Sequence, residues 1–265
     1  MTEQNIKKKI EIAGTKLTDW NVVINYGIKT GLNEAFIIDN ETKNLLIEND
    51  PKSAEIIRPI LRGQDIEKNE INFSQKYLIA LFPSKKYSID DFPAIKNWLQ
   101  NGDWVLLKTK KNPPTPLGSG ILRLQQTGQK QTFKGISFTS RKKTSNKWFE
   151  LQDSIAYSED FFKQKIVFSR ISGTNPKFAL DNNQFMLNDT GYLITGNDLT
   201  YLFQQLTSNE IWFAFQRFYM GGGIEKEFKV NNLLKLPIPK KGVQLNLSQS
   251  ELKFIHDFYK RNQLP

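Results

Sequence analysis

The sequence predicts an α+β fold: a curved, mainly antiparallel sheet with peripheral helices and a C-terminal spacer helix. Three observations predict it. Between residues 147 and 194, short apolar or alternating runs are separated by Asn, Asp and Gly turns, the pattern of a meander. From Leu199 the apolar spacing changes, with Leu199, Leu202, Phe203 and Leu206 falling on one face of a helix. Near the end, Ser248-x-x-Glu251 is a capping box that opens an amphipathic stretch carrying Leu252, Ile255 and Tyr259.

The elements follow in order. Residues 1–18 are a lead-in segment. Residues 20–25 (WNVVIN) read as a strand, Tyr26-Gly27-Ile28-Lys29-Thr30-Gly31 as a tight loop, and residues 35–38 as a second strand ending at an Asp39-Asn40 turn, so a hairpin is expected. Residues 53–61 start a short helix that Pro59 ends or kinks, and Arg62 to Asp65 make a polar turn. Residues 77–82 form an apolar strand. Asp90 or Asp91 caps a helix over 93–100, closed by Asn101-Gly102. Strands are then expected at 147–151, 165–170, 178–180, 184–187 and 192–194. Asn197 caps the helix after Leu199, and Thr207-x-x-Glu210 opens another through Tyr219, broken by Gly221-Gly222-Gly223. Residues 236–242 form an extended linker to the last helix.

With 38% hydrophobic residues and 19 Phe among 265 residues, the chain is too apolar to be a disordered basic tail and long enough for one large or two small domains. There is no cysteine, which excludes disulfides, thiolate catalysis and Cys-ligated metals. The lone histidine, His256, excludes His-rich metal centres and reads as a surface or packing residue. No window approaches the roughly 18 apolar residues of a membrane span, and residues 1–14 hold no signal-like apolar run.

The formal charge of +10 is concentrated in one place. Between Trp104 and Phe149 there is no acidic residue, yet the stretch holds Lys108, Lys110, Lys111, Arg123, Lys130, Lys134, Arg141, Lys142, Lys143 and Lys147. These ten account for the whole excess, leaving 27 basic and 27 acidic residues elsewhere. A partner feels a local field, so a polyanion is the leading expectation. Gln125, Gln126, Gln129 and Gln131 lie among the charges, and side-chain amides can pair bidentately with adenine.

Catalytic motifs are weak. Asn112-Pro113-Pro114-Thr115 is close to the N-P-P-aromatic loop of amino-methyltransferases, but Thr115 replaces the aromatic ring and no glycine-rich cofactor turn precedes it. Glu227-Phe228-Lys229 matches the E-x-K half of a nuclease motif without a partner aspartate upstream, and Gly118-Ser119-Gly120 lacks the ending of a phosphate loop. The chain reads as a binder with no catalytic or metal-ligating residue of its own.

An ordered set of segments resembles a known family. These are Tyr26-Gly-Ile-Lys-Thr-Gly-Leu-Asn-Glu-Ala-Phe-Ile-Ile-Asp39, residues 57–66 (IRPILRGQDI), 92–96 (FPAIK), 148–151 (WFEL), 165–172 (KIVFSRIS), 192–196 (YLITG), Gly221-Gly222-Gly223 and 236–239 (LPIP). Together they are similar to the TaqI-like C-terminal specificity domain, the target recognition domain of type IIG restriction-modification enzymes and related adenine-N6 methyltransferases. The resemblance implies a target recognition domain over residues 19–240, with 241–265 as linker and C-terminal helix. It further implies a cytoplasmic, prokaryotic module that reads double-stranded DNA in the major groove while a methyltransferase domain flips the target adenine. That methyltransferase, and any endonuclease, lie outside this sequence. S-adenosylmethionine, and Mg where the parent also cleaves, belong to them, and no cofactor is expected here.

The resemblance fades over 108–145, where recognition is expected to be encoded, and that is the acid-free stretch. Expected groove and phosphate contacts are therefore Arg123, Gln125, Gln126, Arg141, Lys142, Lys143 and Lys147, with Lys108, Lys110, Lys111, Lys130 and Lys134 adding charge. Lys29, Thr30, Gly31 and Asn33 in the glycine loop, with Arg62, Arg170, Ser172, Gly221, Gly222 and Gly223, are expected to frame the groove. The alternative is a protein-interaction or assembly module, a specificity subunit for separate catalytic chains, acting through the Leu252/Ile255/Tyr259 face. A third reading is a self-contained nuclease using Glu227.

Overall fold

A computed structural model describes residues 2–102, 104, 106–107, 115–116, 119–170, 175–220 and 229–262. The fold is α+β and divides into two units, residues 1–27, 62–72 and 159–265 in one and 28–61 and 73–158 in the other.

The first unit is built on an antiparallel sheet. Its strands run in the order Phe178–Asp181, Lys165–Ser169, Gly191–Gly196 and Val22–Tyr26. Register places Phe178, Phe168, Tyr192 and Tyr26 in one row across all four strands. Neighbouring ring centroids are 5.0, 5.1 and 5.2 Å apart. Each such pair contributes about 0.5–1.5 kcal/mol beyond area burial, so the ladder pins the register that a period-two pattern alone leaves free to slip.

Helices cover this sheet with their apolar stripes. Leu199, Leu202 and Leu206 of the Leu199–Thr207 helix are buried as their spacing predicts, and Ile211, Trp212 and Phe213 of the next helix join the same core. The T-x-x-E box is displaced by one residue: Ser208, not Thr207, caps Asn209–Ala214 by accepting from the Ile211 amide. Residues 2–13, read as part of a lead-in, form a helix that buries Ile6 and Ile10 in the core. The following strand Gly14–Lys16 pairs with Pro237–Pro239, so part of the expected linker is a strand. Its two prolines are tolerated because a two-stranded ribbon leaves N–H positions that need no partner.

The Gln249–Asn262 helix belongs to the same unit. Its capping box forms: the Ser248 amide donates to Glu251 Oε2 at 2.7 Å and the Glu251 amide donates back to Ser248 Oγ at 3.3 Å. Ile255 is buried in the core, the Phe254 and Phe258 rings meet Phe213 edge-on, and Tyr259 donates to the Asn209 carbonyl.

The second unit corrects three expectations. Residues 35–38 make no hairpin with 20–25: Asn33–Phe36 is a helical turn, and Ile37–Ile38 pairs with Tyr77–Ile79. The expected helix at 53–61 is a short 3₁₀ turn, Pro51–Glu55, followed by a strand, Ile57–Leu61. Pro59 lies opposite Tyr77 in that strand, while the Ile60 amide supplies a ladder bond to the Lys76 carbonyl. The expected strand at 147–151 is also absent; the chain turns there, with the Glu150 amide donating to the Lys147 carbonyl.

Asp39 ends no strand turn alone; it caps the Asn40–Asn49 helix, accepting from the Thr42 amide at 2.9 Å. That bond holds its carboxyl below the ordinary value of 3.8. Replacing it, Asp39→Ala, is expected to cost about 1 kcal/mol. Because the folded pKa is depressed, the contribution is present above the ordinary aspartate value and is lost as pH falls through the folded one. Urea melts of both proteins at neutral pH and at strongly acid pH check this: the difference should close on acidification.

Candidate nucleic-acid interface

Within the acid-free stretch the chain forms a short helix, Gly120–Leu124, and an antiparallel hairpin of Lys130–Phe133 and Ile136–Thr139. Lys134 and Gly135 connect the two strands with φ of 48° and 77°. Two successive positive φ values define the primed turn whose twist matches paired strands. Among the described residues nothing lies within 4 Å of where a Gly135 side chain would begin.

The two faces of the hairpin differ. Lys130, Thr132, Ser137 and Thr139 are exposed, whereas Gln131, Phe133, Ile136 and Phe138 are half-buried. Below the hairpin, Ser140 Oγ accepts from the Gln129 amide at 3.1 Å and lies 2.7 Å from Thr127 Oγ1. The Gly128 amide donates to the Arg141 carbonyl.

Arg141 overturns its expected role. It is 4% exposed, and its guanidinium donates to four backbone carbonyls: Leu124 from Nε and Nη2, Thr30 and Glu150 from Nη1, and Trp148 from Nη2, at 2.5–3.0 Å. Burial pushes its pKa down to about 10, which still leaves it charged at neutral pH. With its donors turned inward, Arg141 holds the base of the hairpin and cannot reach a phosphate. Gly31 is part of the same packing: at φ 78° a side chain there would start 3.0 Å from Arg141 Cδ and 2.7 Å from Gln152 Oε1.

Two further expected contacts are also internal. Gln126 is 6% exposed, donates to the Lys147 and Glu150 carbonyls and accepts from Thr144 Oγ1. Thr30 is 1% exposed, donates to Asn33 Oδ1 and accepts from the Leu32 amide. Both are corrected from contact residues to parts of the scaffold.

The remaining residues reach solvent. Lys130, Lys134, Lys142, Lys143 and Lys147 are exposed, as are Lys29 and Asn33. Lys134 and Lys147 lie over the rings of Phe133 and Phe149. Arg123 is half-buried, stacks 4.2 Å from the Phe138 centroid and donates from Nε to Ser119 Oγ. Gln125 Oε1 accepts from Gln131 Nε2 at 3.0 Å. Glu150, the first acid after the stretch, is turned inward and accepts from the Lys147 amide.

Arg62 and Arg170 are in the other unit. Arg62 is held by Asp65 in a bidentate pair at 3.0 and 3.2 Å, and the Arg170 amide donates to the Thr190 carbonyl. Lys108, Lys110, Lys111, Ser172, Gly221, Gly222, Gly223, Asn112-Pro113-Pro114 and Glu227 lie outside the described residues. His256 is on the surface of the last helix, its Nδ1 3.6 Å from Asp257 Oδ1. Among the described residues no group of three His, Cys, Asp or Glu could hold a metal, and no helix is long and apolar enough to cross a membrane.

The exposed face of the hairpin also presents the hydroxyls of Thr132, Ser137 and Thr139, which a reading by charge and amide groups passes over. Their signal was alternation on either side of Lys134-Gly135, a period-two pattern about a turn.

The model of the TaqI-like C-terminal specificity domain matches residues 58–238. The crystal structure of the type IIG restriction endonuclease BpuSI is similar at a TM-score of 0.51 and 14% identity, over 98% of this chain and 28% of that one. The type IIL restriction-modification enzyme MmeI, solved with DNA, is similar at a TM-score of 0.43 and 12% identity, over 94% of this chain and 29% of that one. This chain therefore spans less than a third of either. No curated protein matches the sequence.

Proposed function

The chain belongs to the TaqI-like C-terminal specificity domain family, whose model matches residues 58–238, and from that premise we propose that it is a double-stranded DNA recognition module of a restriction-modification enzyme. In this reading it positions DNA for adenine-N6 methylation, and for cleavage where the parent cuts, by domains that this chain does not contain. S-adenosylmethionine would be bound by those domains, and Mg by the cleaving one. The observation that carries the proposal is the hairpin unit: an acid-free stretch in which the described lysines, Lys130, Lys134, Lys142, Lys143 and Lys147, are exposed on and beside a two-stranded ribbon. A ribbon of this kind fits the major groove of B-DNA, about 12 Å wide, and exposed lysines neutralise the flanking phosphates.

Counterion release gives the test. Five phosphate contacts correspond to a fall in log K with log salt of slope about −4.5, from ~0.9 per contact. Fluorescence anisotropy with a labelled duplex across a salt series is expected to show a slope of that order. Lys142→Gln with Lys143→Gln is expected to reduce its magnitude by about 1.8 without changing the thermal melt. A slope near zero for the unaltered chain refutes the reading.

The assembly alternative needs the C-terminal helix to offer its apolar face to a partner. Ile255 is instead buried in the core of this unit, and Phe254, Phe258 and Tyr259 contact Phe213 and Asn209. Of the Leu252/Ile255/Tyr259 face, Leu252 and Tyr259 stay half-buried.

A further inference from the structure

The proposed DNA reading leaves open which side chains touch bases. We propose that the hydroxyl face of the hairpin, Thr132, Ser137 and Thr139, is the base-reading surface, and that the opposite face with Arg141 is its support. This rests on the DNA-recognition reading and assigns the reading to one side of one ribbon.

Four observations converge. The face is exposed, and among the described residues nothing lies within 4 Å of where a side chain at Gly135 in the tip would begin. The opposite face is already engaged: Phe138 under Arg123, and Gln131 on Gln125. The hairpin is fixed at its base by the carbonyl clamp of Arg141 and the Ser140 bonds, which hold a reader in place before binding. The groups on the face also suit the task. Thr132 Oγ1 and Ser137 Oγ lie opposite each other at 3.0 Å. A hydroxyl carries one donor and two acceptor sites, so the pair keeps one hydrogen and several lone pairs for base edges. The threonine methyls suit the thymine methyl.

Charge surrounds this neutral patch without filling it. Lys130 lies across from Thr139 at one end and Lys134 at the tip, while Lys142 and Lys143 follow the base of the hairpin. Phosphate attraction at the margins and hydroxyls at the centre is the division of labour between positioning and reading. Ser137 and Thr139 are two residues apart, about 7 Å along a strand, which is close to two base-pair steps of duplex at ~3.4 Å each. The face therefore spans two or three consecutive base pairs.

The experiment is selection from a pool of random-sequence duplexes by the unaltered chain and by Thr132→Val/Ser137→Ala/Thr139→Val, with salt slopes measured alongside. Valine and alanine keep strand backbone and approximate shape at exposed sites, and coincident thermal melts verify folding. The triple variant is expected to lose about tenfold or more of its base preference at two or three adjacent positions, with the salt slope unchanged. Gln131→Ala, on the other face, and Thr132→Ser, which keeps the hydroxyl, are each expected to hold the preference within about twofold. The assignment is overturned if the triple variant selects the same sequence as the unaltered chain, or if Gln131→Ala shifts the preference instead. A steep salt slope with a featureless selected pool overturns base reading by this face but leaves DNA binding standing. A near-zero slope for the unaltered chain removes the DNA reading and this assignment with it.

Discussion

Arg141→Met is expected to destabilise the hairpin unit by about 3–5 kcal/mol, the cost of several buried carbonyls losing their donor after partial relaxation. The reason is the number of acceptors that lose their donor together. Four backbone carbonyls, Leu124, Thr30, Glu150 and Trp148, receive five hydrogen bonds from one guanidinium. Each buried carbonyl left without a partner costs about 1–3 kcal/mol, although relaxation and water recover part of that. Lysine does not replace arginine here, because a point charge with three donors cannot span four carbonyls held in different directions. Arg141→Lys is therefore expected to be nearly as unstable as Arg141→Met. Lys142→Gln and Lys143→Gln, the next two residues, are expected to melt like the unaltered chain. Calorimetry and limited trypsin digestion of these variants beside the unaltered chain check this, with new cleavage expected between residues 119 and 158 in the Arg141 variants alone.

The contrast between Arg141 and its two neighbours also marks the limit of what was legible in the sequence. Arg141, Lys142 and Lys143 form one basic run, and composition assigns all three to a charged surface. Whether a cation faces in or out depends on which carbonyls tertiary structure brings to it, and Thr30 is 111 residues away. The same holds for Gln126 and Thr30, polar residues whose partners are set by the fold. Where the information is local, the reading succeeded. The strands at 165–169, 178–181 and 191–196 and the helix Leu199–Thr207 carry their own apolar periodicity, and the Ser248/Glu251 box is complete within four residues. The helix Thr2–Ala13 was hidden because only Ile6 and Ile10 of its apolar face reach the core and Lys7-Lys8-Lys9 lies between them. Pro59 hid a strand because its ring blocks one ladder donor, yet the neighbouring residues supply the rest.

A second charged residue in an apolar strand supports the other unit, and here the prediction depends on pH. Lys165 and Asp181 lie directly opposite each other in the sheet, both 0% exposed, with Nζ 2.5 Å from Oδ2. Nζ also donates to the Phe161 carbonyl, and the carboxylate accepts from the Asn183 and Phe185 amides. Removing the carboxylate is worse than removing the ammonium, because Asp181→Leu strands a buried cation and two amides, whereas Lys165→Met leaves the carboxylate its two amide donors. Asp181→Leu is expected to cost the upper part of about 3–5 kcal/mol and Lys165→Met less. The double variant should be more stable than Asp181→Leu alone, since the stranded charge is gone, though the two amides still lack an acceptor. Desolvation already lowers the Lys165 pKa in the intact pair, and loss of Asp181 removes the attraction that opposes it. In Asp181→Leu the folded state therefore releases the Lys165 proton at lower pH than the unfolded chain does. Between those two pKa values the unfolded chain binds more protons, so stability rises with pH, by up to about 1.4 kcal/mol per unit. Urea melts of Asp181→Leu and of the double variant from neutral to alkaline pH separate the two causes. The gap between them should narrow as pH rises; a gap that stays constant would mean that the defect is lost packing rather than a stranded charge.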